Sequence, residues 1–253
     1  MSDPYLTITV FRDERVLARS LAERIASSLA DHPRQVLGLA TGRTPVRLYH
    51  DLGALHARGR ADFSHVTTFN LDEFWGLPPS DPGSYRTFMT EHLFRRTGIR
   101  PEQVNFLNGS APDADAECAR YDDAIAGAGG IDLQILGIGT NGHIGFNEPG
   151  RDLASRTHRV ALKASTRRSN AALFGGDVDR VPKEALSMGM GSILRARRLV
   201  LIATGKSKAK CVERLVHGPI TTKLPASFLQ LHGAVEILLD EPAAQLGVRG
   251  LHG

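Results

Sequence analysis

One stretch constrains the fold more than any other: Ile131–Gly150, IDLQILGIGTNGHIGFNEPG. It opens as an apolar run, Leu133 to Ile138, of the kind shown by a strand buried on both faces. The run breaks into Gly137, Gly139 and Gly142, and the Asn141-Gly142 pair asks for a turn. His143 and Glu148 follow at once, and Pro149-Gly150 stops any helix. A buried strand that empties into a glycine-rich loop carrying an imidazole and a carboxylate is where open α/β sheets place their chemistry. Gly137, Gly139 and Gly142 also spell a lone G-x-G-x-x-G. A dinucleotide site would need a helix to open at Gly142 with its N-terminus on a pyrophosphate. Gly145, Pro149 and Gly150 leave no room for that helix.

The rest of the chain alternates. Strands are expected at Leu6–Val10, Val36–Ala40, Val66–Phe69, Val104–Leu107, Leu133–Ile138, Leu199–Ala203 and Val235–Leu239. Helices are expected at Asp13–Ala30, Val46–His56, Ser84–Arg96, Asp113–Ala126, Pro182–Leu194 and Ser207–Val216. Thr166 to Asp179 is polar and contains Gly175-Gly176, which reads as a mobile lid. With 253 residues, no linker and no internal repeat, this predicts one α/β domain over residues 1–253. Its sheet is doubly wound and mostly parallel, with helices on both faces.

Composition excludes several classes. The net charge is +4 with His neutral, and the basic clusters Arg195–Arg198 and Lys206–Lys210 are short, so no nucleic-acid stripe is expected. The N-terminus has no apolar signal core, and no run approaches membrane-spanning length. Cys118 and Cys211 lie far apart without metal-ligand spacing, which fits reduced thiols in the cytoplasm.

Four strand ends carry polar residues: TGRTP, NLDE, GTNGHIGFNE and TGKSK. In a parallel sheet the carboxyl ends of the strands share one edge, so the four loops should converge. Thr41, Gly42, Arg43 and Thr44 offer backbone N–H groups and hydroxyls at a helix N-terminus, an anion site. Thr44 before Pro45 also reads as an N-cap. Lys206 and Lys208 sit at another helix start, where the dipole does not favour cations unless an anion lies among them. Asp72 in NLDE could bind a ribose or a metal, cap a helix or act as a base. No H-E-x-x-H or Cys/His cluster appears, so no metal is expected, and no G-x-S-x-G supplies a serine nucleophile. What remains is acid–base chemistry on a phosphorylated small molecule, with Asp72 and His143 as the titratable pair.

The segments LGLATGRTPVRLY, TTFNLDEFWGLPPSDPGSY, LGIGTNGHIGFNEPG, DVDRVPKEALSMGMG, ATGKSKA and PASFLQLH together resemble the glucosamine-6-phosphate deaminases, in register from about Val36 to Asp240. The related 6-phosphogluconolactonases share the glycine-rich His loop but typically continue with a serine-containing ending in place of Asn-Glu-Pro-Gly. The resemblance implies a modified Rossmann-type fold. It implies ring opening of an amino sugar phosphate by His143, oriented by Glu148. Asp72 would then remove the C2 proton, and ammonia and fructose 6-phosphate would result. No cofactor is implied, and a homo-oligomer is compatible with this reading. Three positions depart from the family's pattern. Asn141 stands where many members have Asp. Arg43 replaces the Gly of TGGTP. Ala172 stands where members carry a phosphate-binding lid Arg, while Lys208 matches the family's phosphate lysine. Three further readings stay open at this point: a galactosamine-6-phosphate deaminase, a phosphosugar lactonase, and a non-catalytic sugar-phosphate sensor. The last would need a DNA-binding module, for which a first strand starting at Leu6 leaves no room.

Overall fold

The computed structural model describes residues 6–248 and the backbone of 251–252. Among the described residues, eleven strands form two sheets. The large sheet takes β1 (Leu6–Phe11), β2 (Val36–Leu39), β3 (Thr67–Asn70), β5 (Val104–Asn105), β6 (Leu133–Gly137), β9 (Arg198–Ala203), β10 (Val235–Asp240) and β11 (Leu251–His252). Its order is β11-β1-β10-β9-β6-β2-β3-β5, and every pairing is parallel. This is the expected doubly wound sheet. β2 and β9 are buried almost throughout, which is why both read as unbroken apolar runs.

Two apolar layers cover the sheet. On one face lie α1 (Glu14–Asp31) and α2 (Arg43–Ala57), with α3 (Tyr85–Met89) running through one wider turn, Thr90–Phe94, into α4 (Arg95–Thr97). On the other lie α5 (Ala114–Gly127), and, further along, α7 (Met190–Leu194), α8 (Ala209–His217) and α9 (Glu241–Ala244). Successive residues of β9 serve the two layers in turn: Val200 and Ile202 join the first, Leu199, Leu201 and Ala203 the second. α1 buries Leu17, Leu21, Ile25 and Leu29 along one stripe. Each such side chain contributes roughly 1.5–3 kcal/mol of burial. The start of α1 is fixed by Asp13, whose carboxylate accepts from the N–H groups of Arg15 and Val16 at 2.9 and 3.0 Å. Asp113 caps α5 and Ser84 caps α3 in the same way.

A second, antiparallel sheet adds to the expected architecture: β4 (Asp72–Phe74), β8 (Glu184–Ser187) and β7 (His158–Ala161), in the order β4-β8-β7. The helix expected over Pro182–Leu194 is therefore only its second half, α7; the first half is β8. Backbone pairing on both sides overrides the helix-forming Glu-Ala-Leu of this segment. Thr166–Asp179 is also more ordered than a polar loop. Its first nine residues lie within α6 (Ala164–Asn170) and the 3₁₀ turn Ala171–Phe174, the turn residues 175–179 follow, and Phe174 packs edge-on against Phe74. The expected N-cap Thr44 is inside α2, because the helix already begins at Arg43 behind Gly42 at φ +101°. Among the described residues no helix is long and apolar enough to cross a membrane.

Candidate active site

β9, β6, β2 and β3 are consecutive neighbours in the large sheet and parallel. The loops TGKSK, GTNGHIGFNE, TGRTP and NLDE therefore leave the same edge side by side, as the topology argument requires. A groove of about 770 Å³ lies at the opposite edge, beside Gln35, Asp132 and Arg197. There Asp132 accepts from Arg197 at 2.7 Å and from the Val36 N–H at 2.8 Å.

The loop after β6 turns tightly through Gly142, at φ +85°, with the Gly139 N–H donating to the His143 carbonyl at 3.0 Å. Gly139 has to be glycine for a second reason. A Cβ there would stand 2.2 Å from the His143 ring, so the imidazole occupies the space a side chain would take. Asn141 then organises the two groups beyond it. Its Oδ1 accepts from the His143 backbone N–H at 3.1 Å and lies 2.7 Å from His143 Nδ1. Its Nδ2 donates to Glu148 Oε2 at 2.8 Å. An amide oxygen only accepts, so His143 carries its proton on Nδ1 and leaves Nε2 as the basic nitrogen. Glu148 Oε2 itself lies 3.9 Å from His143 Nδ1, and Asn141 hydrogen-bonds to both groups. The two-residue offset of Asn141 from His143 is the reach of an Asx turn, which brings the amide onto the ring. Burial holds the His143 pKa below its ordinary value; Glu148 opposes this, and Lys208 and Lys163 reinforce it.

Asp72 opens β4 and is 5% exposed. It adjoins the His143 loop: a Cβ built on Gly145 would lie 3.1 Å from Ser187 Oγ and 3.5 Å from Asp72 Oδ2. Its Oδ1 has no hydrogen-bond partner among the described residues. Burial, with the neighbouring Glu73 carboxyl adding to it, pushes the Asp72 pKa up to about 8, while the Thr41 hydroxyl draws it down. Glu73 has a different job. It accepts from the N–H groups of Phe74, Tyr85 and Arg86 at 2.8, 2.9 and 3.0 Å, and so anchors the start of α3.

At the other end of the site, Thr41 and Thr44 are half-buried and Gly42 and Arg43 exposed. No side chain among the described residues caps the first turn of α2, so its N–H groups are open to an anion. Lys208 is half-buried in the 3₁₀ turn Lys206–Lys208, and burial lowers its pKa, with the Arg43 charge lowering it further. Lys206 is exposed, and the Gly205 N–H is occupied by both oxygens of Asp240 at 3.0 Å. Ala172 is exposed, and Arg167 is bound to the carbonyls of Val178 and Val181 at 2.7 and 3.2 Å. The structure thus brings Thr41, Asp72, Asn141, His143, Glu148 and Lys208 together on one edge. It adds side chains that were not among the expected site residues: Ser187 on β8, Tyr85 on α3, and Thr166 and Asn170 on α6. Only their separation from the glycine-rich loops hid them. Among the described residues, no three His, Cys, Asp or Glu side chains are grouped to hold a metal.

A parallel α/β sheet whose strand ends gather a buried carboxyl, a tautomer-fixed imidazole and an open helix N-terminus defines an acid–base enzyme rather than a structural domain. Comparison with known proteins agrees with this class and narrows it. The model for glucosamine-6-phosphate isomerases/6-phosphogluconolactonase matches residues 13–237. The chain is 51% identical over 211 residues to glucosamine-6-phosphate deaminase 2 of Bacillus subtilis, covering 83% of this chain and 85% of that protein. It is 44% identical over 241 residues to the glucosamine-6-phosphate deaminase of Halothermothrix orenii, covering 95% and 100%. A solved monomeric glucosamine-6-phosphate deaminase superposes with a TM-score of 0.90 at 42% identity, covering 95% of this chain and 100% of that one. A 6-phosphogluconolactonase from Trypanosoma cruzi shares the fold at a TM-score of 0.74 and 19% identity. The chain belongs to the glucosamine-6-phosphate isomerase/6-phosphogluconolactonase family.

Proposed function

We propose that this protein converts glucosamine 6-phosphate and water to fructose 6-phosphate and ammonia. The observation that carries the chemistry is the close approach of the His143 loop to Asp72, whose Oδ2 would lie 3.5 Å from a Cβ placed on Gly145, so that a carboxyl and an imidazole share one edge of the sheet. The amino sugar enters as a closed ring. His143 Nε2, the basic nitrogen, moves a proton between O1 and O5 and opens it. Asp72 then takes the proton from C2, and the electron pair left behind spreads into an enolamine. Reprotonation at C1 gives an imine at C2; water adds there and ammonia leaves.

The same geometry accounts for the choice of base. In the free protein the Asp72 carboxyl, pushed up to about 8, holds its proton at neutral pH. A protonated amine on C2 beside it favours the carboxylate, so the substrate's own amino group prepares the base that attacks it. The phosphate goes to the opposite end, against the N–H groups of Arg43 and Thr44, the Arg43 guanidinium and Lys208. Ammonia release tests the proposal. The protein should release one ammonia per fructose 6-phosphate from glucosamine 6-phosphate. Ammonia from the C4 epimer alone, or hydrolysis of a phosphogluconolactone without ammonia, would overturn it.

A further inference from the structure

Helix α6 reaches the site from outside its four loops. Thr166, 4% exposed, donates its hydroxyl to Glu148 Oε1. The other oxygen of Glu148, Oε2, takes the Asn141 amide proton at 2.8 Å, and Asn141 Oδ1 takes Nδ1–H of His143 at 2.7 Å. Three hydrogen bonds therefore run in series from α6 to the imidazole. The second of them decides chemistry. If the Asn141 amide turned over, its NH₂ would face Nδ1, the ring proton would move to Nε2, and no basic nitrogen would face the substrate. The amide keeps its orientation because Glu148 presents an acceptor to Nδ2 and the His143 backbone N–H presents a donor to Oδ1 at 3.1 Å. Glu148 keeps that acceptor in place because its far oxygen is tied to Thr166. Lys163, at 3.9 Å from Oε2, and His143, at 3.9 Å from the same oxygen, are the charged or titratable groups facing this carboxylate. Both approach Oε2, so Thr166 alone among these holds Oε1.

We infer that Thr166 is a positioning residue for His143, acting through Glu148 and Asn141 to hold the imidazole in its Nδ1–H tautomer. This rests on the reading of His143 as the ring-opening group. Thr166 suits the role: a β-branched side chain has few χ1 choices, and its own carbonyl is fixed by Ser169 Oγ and Asn170 Nδ2 at 2.8 and 2.9 Å. One turn on, Asn170 accepts from the Tyr85 hydroxyl at 2.9 Å, which pins the same helix on the Asp72 side of the site.

The test uses Thr166→Val, which removes the hydroxyl at constant shape, and Thr166→Ser, which restores it. On glucosamine 6-phosphate, the valine variant should lose roughly 10–100-fold in kcat with KM within about twofold, as misplacement of a reacting group does. The serine variant should return to within a few-fold of wild type. ¹⁵N NMR of the His143 ring should show one tautomer, Nδ1–H, in wild type and a mixture in the valine variant. An unchanged kcat in Thr166→Val, equal losses in both variants, or an unshifted tautomer would overturn the inference. Wild-type ammonia release judges the overall function separately, and the tautomer measurement needs no turnover.

Discussion

Asp72 and Ser187 are direct partners across the antiparallel β4–β8 pair. The carboxyl is thus carried by sheet, not by a flexible loop, and its position is set by backbone pairing on the strand itself. Asp72→Asn should leave binding of the phosphosugar within a few-fold of wild type. It should cut turnover by at least about 10²-fold, the usual cost of losing a general base. Exchange of the C2 hydrogen with deuterated solvent should vanish with it; exchange at the wild-type rate would remove Asp72 from the mechanism.

The same residue predicts two pH effects of opposite sign. In the proposed role of base it must be ionised, so kcat/KM should rise with pH through about 8, the value to which burial pushes it. Stability should move the other way. An aspartate that keeps its proton in the folded state but ionises in the unfolded chain makes the unfolded state bind fewer protons, so folding weakens between about pH 4 and 8. Asp72→Asn cannot ionise and removes that slope. Its melting temperature should exceed the wild type's at pH 8, and the gap should shrink towards pH 4. Equal melting curves at both pH values would show that the carboxyl is not held neutral.

Much of this site is legible in the chain because each polar loop follows an apolar run, and parallel neighbours bring such loops to one edge. The small sheet is not. Glu184–Ser187 has buried Ala185, Leu186 and Ser187 in succession, and a short buried run looks alike as helix or strand. Its identity comes from pairing with Asp72–Phe74 and His158–Ala161, segments over 20 residues away. Thr166 is hidden for a related reason. It lies 18 residues from Glu148, and nothing local marks a hydroxyl on a short helix as a partner for that carboxylate.

Asn141 makes a sharper case. It holds His143 as an aspartate would, but without charge. Asn141→Asp should raise the His143 pKa, because an anion 2.7 Å from Nδ1 stabilises imidazolium against the burial that now lowers it. Titration followed by NMR should show the shift upward. The second carboxylate also loses the amide donor to Glu148, so a pKa that stays or falls would mean the new charge has turned away from the ring.

At the proposed phosphate end, Arg43 lies near enough to Lys208 for the two charges to oppose each other. We expect it to take the part of the lid arginine that Ala172 lacks. A charge-assisted bond to phosphate is worth about 1.5–3 kcal/mol, so Arg43→Ala should raise KM by roughly tenfold or more. Arg43→Gly combined with Ala172→Arg should recover much of the loss. An unchanged KM in Arg43→Ala would point instead to the exposed Arg168, since Arg167 is committed to the backbone of Val178 and Val181.

The segment from Thr166 to Asp179 should take up amide protection on binding the phosphosugar. It contacts Glu148 through Thr166 and Tyr85 through Asn170, so both halves of an occupied site bear on it. Hydrogen exchange measured with and without fructose 6-phosphate checks this. Identical protection in the two states would make the segment a fixed wall.

Leu71 links the two sheets. The Leu71 N–H donates to the Leu39 carbonyl at 3.1 Å, on the large sheet's side, and its own carbonyl accepts from the Met188 N–H at 2.8 Å, on the small sheet's side. One residue thus ties the two sheets together, and Asp72 is the next residue along the chain, so the carboxyl proposed as the base is held by both sheets at once.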